Sequence, residues 1–433
     1  MNLFNEMKSL VKLSFPIIIG QMGQMLIVAG DVYIATLFST MAVAGIGVAS
    51  GIINPIFLFG IGLMMGISPS LAYMRGESEL DDKEHLSSIL FYSISVGLIL
   101  TFALILVNKY IYVFGVEQRL IPSITQYISI VAWSIPFAIA FQGVKEYLQA
   151  FEKVFIPNLL SILAVLINLV LNYVYVFGYQ DIPAYGEPGL AYASVTIRVL
   201  LFFALLFYVF CKYKLAKISW RLMGTIFHFS LPIAFMFFLE VLAFCTVSVL
   251  SGRLGVVAAA ANNIIMTIAS VSFMIPLSIS SAVAVKIGHA YGKKDYPLLL
   301  GQIKAAIILT ILFVIFSASF FFLLPQVVME LMTQDEFVVE LGVKLLLIVA
   351  LFQLSDGFQV VLAGVLRGLK ETKISSYLVF IGYWVIGIPC GIYLTFFAGA
   401  GPQGLWIGLS LALSLVAIAL CLLTYKRIKG LSF

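Results

Sequence analysis

Charge is scarce in this 433-residue chain: Asp, Glu, Lys and Arg together make up 10% of it. A soluble globular protein carries about 25%. With 62% hydrophobic residues, that scarcity excludes an ordinary soluble domain and puts the chain in the membrane class. Histidine is rarer still. The three copies, His85, His228 and His289, stand apart at or near helix ends, which argues against a histidine-built metal site. The four cysteines, Cys211, Cys245, Cys390 and Cys421, show neither metal-ligand spacing nor a disulfide framework, and read as small buried hydrophobes. There is no GxxxxGK[ST] loop, so ATP is not the energy source within this chain. There is no GxSxG elbow either, and no His, Cys and Asp constellation for an enzyme buried in the membrane. No cofactor is therefore expected. The net charge of +5 comes without a long basic tail, so nucleic acid is not an expected partner. The opening MNLFNEMKSLVKLSF runs straight into a long apolar stretch and offers no small-residue cleavage site.

Long apolar runs are abundant. A spanning helix needs about 20 apolar residues. Twelve runs qualify, over 10–37, 43–73, 86–107, 122–150, 155–179, 189–211, 226–251, 256–290, 301–325, 339–368, 374–398 and 403–425. Pro55, Pro136, Pro276 and Pro389 fall inside runs, where they are expected to kink or open the helix. Lys and Arg then set the orientation. With the amino terminus inside, twenty of the 25 fall on inner segments, Lys83, Lys145, Lys214, Arg367 and Lys370 among them. Lys109, Arg119 and Arg253 fall outside, and Arg198 and Lys344 lie within spans. This asymmetry predicts an inner-membrane protein with both termini cytoplasmic.

The chain also repeats itself. SFPIIIGQM at 14 matches SLPIAFMFF at 230, and without a gap YMRGES at 73 falls on HAYGKK at 289, an offset of 216 residues. VAWSIPF at 131 aligns with VALFQLS at 349, and GLAYAS at 189 with GLWIGL at 404. Identity is weak, so the spacing carries the argument. Each half holds six spans, so both copies enter from the same side. That predicts an all-α polytopic protein of two six-helix lobes, related by a parallel pseudo-two-fold repeat around a central cavity. The expected lobes are 1–211 and 226–433, joined by a cytoplasmic linker over 212–225. The linker's basic and aromatic residues suit either a membrane-surface segment or a plain solvated connection. A monomer in the lipid bilayer is the expectation.

Of the twenty acidic residues, three lie deep within runs: Asp31, Glu240 and Asp356. Glu240 sits in FFLEVLAF, residues 237–244. A charge at the bilayer centre costs at least about 2.5–3.5 kcal/mol, so such groups persist where they face a cavity and act there. The bland alternative is a protonated structural carboxyl bonded to a neighbouring helix. No Lys or Arg sits at matching depth beside Glu240 and Asp356, which favours a bound cation or proton over an internal ion pair. Asn168 and Asn172 are spaced i, i+4 and share one helix face, where with Asp31 they can form an oxygen-rich pocket. Interhelical hydrogen bonding explains the two amides equally well. Arg198 lies about ten residues into its span and takes no assigned role, because a long side chain can also snorkel. Some of the 36 Phe, 20 Tyr and 14 Met can line an adaptable, cation-attracting cavity, while most pack or face lipid.

Twelve spans in two parallel halves, with acids in the first, seventh and tenth, resemble the multidrug and toxic compound extrusion (MATE) transporters. Four local segments carry the likeness over the whole chain. SGRLGVVAAAAN (251–262) is similar to the family's segment after the seventh helix, and GHAYGKKD (288–295) to its turn after the eighth. AGVLRGLKETK (363–373) is similar to the turn after the tenth, and GEPGLAYAS (186–194) to the entry of the sixth. The resemblance implies an antiporter that exports organic cations, drugs and toxic compounds among them, in exchange for Na⁺ or H⁺. It implies that Glu240 and Asp356 form a second-lobe cation site, which as a metal site would hold Na⁺. Asp31 matches a first-helix acid and Asn168 a fifth-helix amide. Asn172 stands where another branch carries an aspartate. That departure favours the bacterial branch with a second-lobe carboxylate pair.

The chemistry expected follows from these groups. Carboxylates in a partly dry cavity attract a hard cation or take up a proton, and a cationic substrate binds best when they are bare. That difference in affinity suffices for coupling. The alternative is a flippase for lipid-linked saccharides or another amphiphilic, anionic metabolite, which calls for several basic groups in the cavity. A channel would pass current without stoichiometric exchange.

Overall fold

Helix starts and breaks in this chain follow local chemistry. Asp295 caps α11 (Tyr296–Leu323) by accepting from the Leu298 N–H at 3.0 Å, and Asp335 caps α13 (Glu336–Gly368) by accepting from Phe337 and Val338. The computed structural model describes residues 3–78, 85–114, 118–213 and 217–431. Lys83, Lys214 and linker residues 214–216 lie outside the described residues. Apart from an isolated bridge between Tyr179 and Ile182, the regular structure among the described residues is helical.

Among the described residues, eleven helices are long and apolar enough to cross a membrane, or twelve if one bent pair counts as a single span. The amino-terminal ones are α1 (Leu3–Phe38), α2 (Thr40–Met64) with α3 (Ile67–Ser78), α4 (Leu86–Lys109), α5 (Ile121–Ala132), α6 (Ile135–Ala150), α7 (Phe155–Phe177) and α8 (Glu187–Lys212). The others are α9 (Trp220–Gly252), α10 (Val256–Gly292), α11, a short α12 (Pro325–Glu330), α13, α14 (Lys373–Phe380), α15 (Ile388–Ile392) and α16 (Pro402–Lys429). The bent pair is α5 and α6, which meet at 45°. Pro136 sits in the first turn of α6, so the proline read as a kink in the 122–150 run lies at the break. Pro55 and Pro276 stay inside continuous helices. Around Pro389 the helix widens into π-helical turns over Ile381–Gly387 and Tyr393–Phe397. Proline has no N–H to donate to the preceding turn, and the ladder re-forms with wider spacing. The helix α9 begins at Trp220, so 220–225 of the predicted linker is helical.

The chain forms two compact units. The amino-terminal unit comprises Phe15–Leu71 and Leu80–Ala234; the carboxy-terminal unit comprises Met1–Ser14, Ala72–Glu79 and Phe235–Phe433. In the amino-terminal unit, Gly23 lets α1 approach α7, where an added methyl would stand 3.0 Å from the Ser161 carbonyl oxygen. That approach sets the distance between Asp31 and the amides of α7. The linker end docks on α4: the Ser219 N–H donates to Ser88 Oγ at 2.9 Å, and Trp220 meets Phe91 edge-on at 5.4 Å.

The carboxy-terminal unit packs around Trp406, whose ring meets Phe352 edge-on at 5.4 Å and whose Nε1–H donates to Asn262 Oδ1 at 3.1 Å. On α13, Gly364 and Gly368 are spaced i, i+4 and bring α10 close; a methyl on Gly364 would lie 2.5 Å from the Ser280 carbonyl oxygen. Arg367, buried on the same helix, donates to Ser280 Oγ at 2.7 Å. Within this unit Gly76 lies against the His289 carbonyl oxygen, and Gly292 against the Tyr73 carbonyl oxygen. These four are two pairs equated by the 216-residue repeat. Tyr73 also packs on Tyr291 at 5.5 Å and lies 3.3 Å under the Lys370 ammonium. Burial lowers the Lys370 pKa, and the Glu77 carboxylate acts the other way.

Candidate functional site

Three buried carboxylates sit mid-helix. Asp31 on α1 is 8% exposed, Glu240 on α9 is 6% and Asp356 on α13 is 7%. A polar group at such depth requires hydrogen-bond partners or a ligand.

In the carboxy-terminal unit, Glu240 Oε1 accepts from the Tyr383 hydroxyl at 3.0 Å. Tyr383 and Trp384 belong to the π-helical segment before Pro389, and the Trp384 Nε1–H donates to the Leu239 carbonyl at 3.0 Å. Two bonds thus fasten the widened turn to the stretch of α9 that carries the glutamate. Asp356 lies within electrostatic reach of both Glu240 and Tyr383. Its Oδ1 is buried and has no hydrogen-bond partner among the described residues. One turn earlier on α13, Gln353 Oε1 accepts from Ser272 at 2.6 Å and from Ser317 at 2.8 Å. No third His, Cys, Asp or Glu joins the pair among the described residues. The donor set is two carboxylates and a phenol, all oxygen, and the fully buried Asp356 Oδ1 is left without a donor among the described residues. Such a set fits a hard monovalent cation or a proton.

In the amino-terminal unit, Asp31 holds one donor on each oxygen. Asn172 Nδ2 donates to Oδ1 at 2.6 Å and Ser194 Oγ to Oδ2 at 3.1 Å. The same Asn172 amide reaches Asn168 Oδ1 at 3.1 Å. The expected pocket of Asp31, Asn168 and Asn172 therefore comes together, with Ser194 of α8 added. Arg198 lies one turn beyond Ser194 on α8. Its Nη1 donates to Ser134 Oγ at 2.8 Å, at the break between α5 and α6, and its guanidinium lies 5.3 Å from the centre of the Phe57 ring. Lys344, the other base counted within a span, pairs with Glu340 at 2.7 Å on an exposed face near the start of α13.

Sequence reasoning passed over several of these groups. Tyr383 and Ser194 are neutral and common in membrane helices; the nearest signal was Pro389, which marks the turn that carries the tyrosine. Glu146 is a fourth buried carboxylate, 4% exposed, near the end of α6. It accepts from Ser68 at 2.6 Å and from Gln142 at 3.1 Å. Its place near a helix end hid it among solvated acids. Lys145 beside it is buried, and its Nζ has no hydrogen-bond partner among the described residues.

The MatE family model matches residues 16–174 and 232–393. Multidrug resistance protein MdtK of Photorhabdus laumondii subsp. laumondii is 28% identical over 431 residues, covering 95% of this chain and 94% of the relative. Multidrug resistance protein MdtK of Edwardsiella ictaluri is 27% identical over 438 residues, covering 97% and 95%. Among solved structures, the eukaryotic MATE transporter AtDTX14 superposes with a TM-score of 0.88 at 20% identity, covering 99% of this chain and 98% of that one. An outward-facing multidrug resistance MATE family transporter of the MOP superfamily superposes with a TM-score of 0.87 at 18% identity, covering 98% and 96%. At these identities the superpositions establish the fold.

Proposed function

The chain belongs to the MatE family of membrane transporters, and from that membership we infer that it is a secondary antiporter exporting organic cations in exchange for Na⁺ or H⁺. The relatives' names carry multidrug resistance, and a broad range of amphiphilic cations is the substrate class proposed here. The observation that carries the coupling is the unpartnered, buried Oδ1 of Asp356 beside Glu240. A carboxylate left without a donor in a membrane helix is stabilised when a cation or proton arrives.

Glu240 and Asp356 hold the driving ion, with the Tyr383 hydroxyl as a third oxygen. Asp31, with its amide and hydroxyl donors, attracts the positive charge of the substrate. Filling the carboxyl-lined sites neutralises them and lowers their affinity for a cationic substrate, which is all that exchange requires. Both termini are proposed to be cytoplasmic, in a bacterial inner membrane, with the protein working as a monomer. The flippase alternative is weaker, because Arg198 is the one basic side chain beside these carboxylates among the described residues.

The test is export of a fluorescent organic cation from proteoliposomes, driven separately by a Na⁺ gradient and by a pH gradient. One gradient is expected to drive export in the native protein, and Glu240→Gln to abolish it. Export that survives Glu240→Gln together with Asp356→Asn would sink the coupling assignment.

A further inference from the structure

The charge of the chain is one-sided at the join between its halves. No acidic residue stands between Glu187 and Glu240, while Lys212, Lys217 and Arg221 follow one another there. All three are exposed. Lys212 ends α8, where its ammonium lies 4.8 Å from the centre of the Tyr208 ring. Lys217 and Arg221 flank Trp220, the first residue of α9.

Trp220 is 68% exposed, yet it is held in place. The Ser219 N–H beside it bonds to Ser88, and the indole meets the exposed ring of Phe91 edge-on at 5.4 Å. Phe91 lies about 8 Å along α4 from Leu86 at about 1.5 Å per residue. The indole is therefore fixed against the side of a membrane span, a turn or two in from the span's end. Indoles favour that depth, with the ring against acyl chains and the N–H toward headgroups. Trp384 and Trp406 use their Nε1–H groups on protein oxygens, whereas Trp220 makes no such bond among the described residues. A plain solvated connection needs no indole pinned in this way. The repeat supplies a contrast. At the 216-residue offset, Trp220 falls on Phe4, an exposed aromatic in the first turn of α1. Asn5 stands in the place of Arg221 there, and Glu6 follows it. The aromatic position recurs, but the flanking pair of bases does not.

We propose that Lys217, Trp220 and Arg221 form a binding site for an anionic phospholipid. The two bases take the phosphate, and the indole lies at the level of the glycerol. Lys212 adds to the attracting field without touching the headgroup. The bound lipid fixes the end of the linker to the bilayer surface. The proposal requires only that the chain spans a membrane, and it goes beyond the export reading.

The test reads contact between Trp220 and lipids whose acyl chains carry bromine, a quencher of tryptophan. The full chain is placed in phosphatidylcholine nanodiscs that contain a minor fraction of brominated phosphatidylglycerol or, separately, of brominated phosphatidylcholine. Subtracting the signal of Trp220→Phe isolates Trp220 from the other three tryptophans. Brominated phosphatidylglycerol is expected to quench the Trp220 signal about two-fold more strongly than brominated phosphatidylcholine, or better. With Lys217→Gln and Arg221→Gln together, the two lipids should quench alike. Phe4→Trp in the Trp220→Phe background should also be quenched alike by both. Equal quenching of Trp220 in the native chain overturns the proposal. So does a preference that survives loss of both bases, or an equal preference at position 4, which would be a general property of the anionic bilayer. A second measurement needs no variant: native mass spectrometry of the unaltered chain in detergent, supplied with equal amounts of the two lipids. Phosphatidylglycerol is expected to be retained in excess, and no excess overturns the proposal. None of these readings involves a substrate or a driving ion, so their failure leaves the export reading standing.

Discussion

Asn172 shows what a single amide does at depth. Its Nδ2 serves Asp31 and Asn168 together. Asn172→Leu keeps most of the volume and leaves an Asp31 oxygen without its donor. The expected cost is about 1–3 kcal/mol, read as a lower melting temperature in detergent. Replacing Asp31 by Leu as well removes the stranded oxygen, so the double variant should melt above the sum of the two single losses. Additive losses would mean the bond contributes little. The three mid-helix acids were legible in the sequence because a carboxylate in an apolar run is rare and expensive. Tyr383 and Ser194 were not, because a hydroxyl in a membrane helix is cheap and frequent, and its partner is known only once two helices are placed side by side. Glu146 fell between these cases: it is charged, yet close enough to a helix end to pass as solvated.

At the scale of the element, the approach of α10 to α13 depends on Gly364. Any side chain there meets the backbone carbonyl of Ser280, which cannot rotate away. Gly364→Leu should destabilise the carboxy-terminal unit by at least about 1–3 kcal/mol through overpacking. The protein should then elute as aggregate in size-exclusion chromatography. Gly224, which has open space around it, is the control: Gly224→Ala should elute like the native protein. Span number was readable from run length alone. The division of one run into α5 and α6 was readable only as a proline inside it, since composition does not report an angle. The start of α9 at Trp220 was missed because its first turn is basic and aromatic and joins the helix through contacts with α4 rather than through apolarity.

For the whole molecule, the distribution of Lys and Arg yields a test of sidedness. In a variant without the four native cysteines, a cysteine at Lys429 should react with a membrane-impermeant maleimide only after the membrane is opened. A cysteine at Tyr179, in the connection after α7, should react in intact cells. The reverse pattern would invert the proposed orientation. The repeat, read from spacing at very low identity, has a physical counterpart in the contact of Gly76 with His289 and of Gly292 with Tyr73. Each partner offers the other the same two positions, which is the signature of an isologous contact. Symmetric homodimers are built from such contacts. A chain of half this length could therefore have made this one with a second copy of itself, before any linker joined the halves.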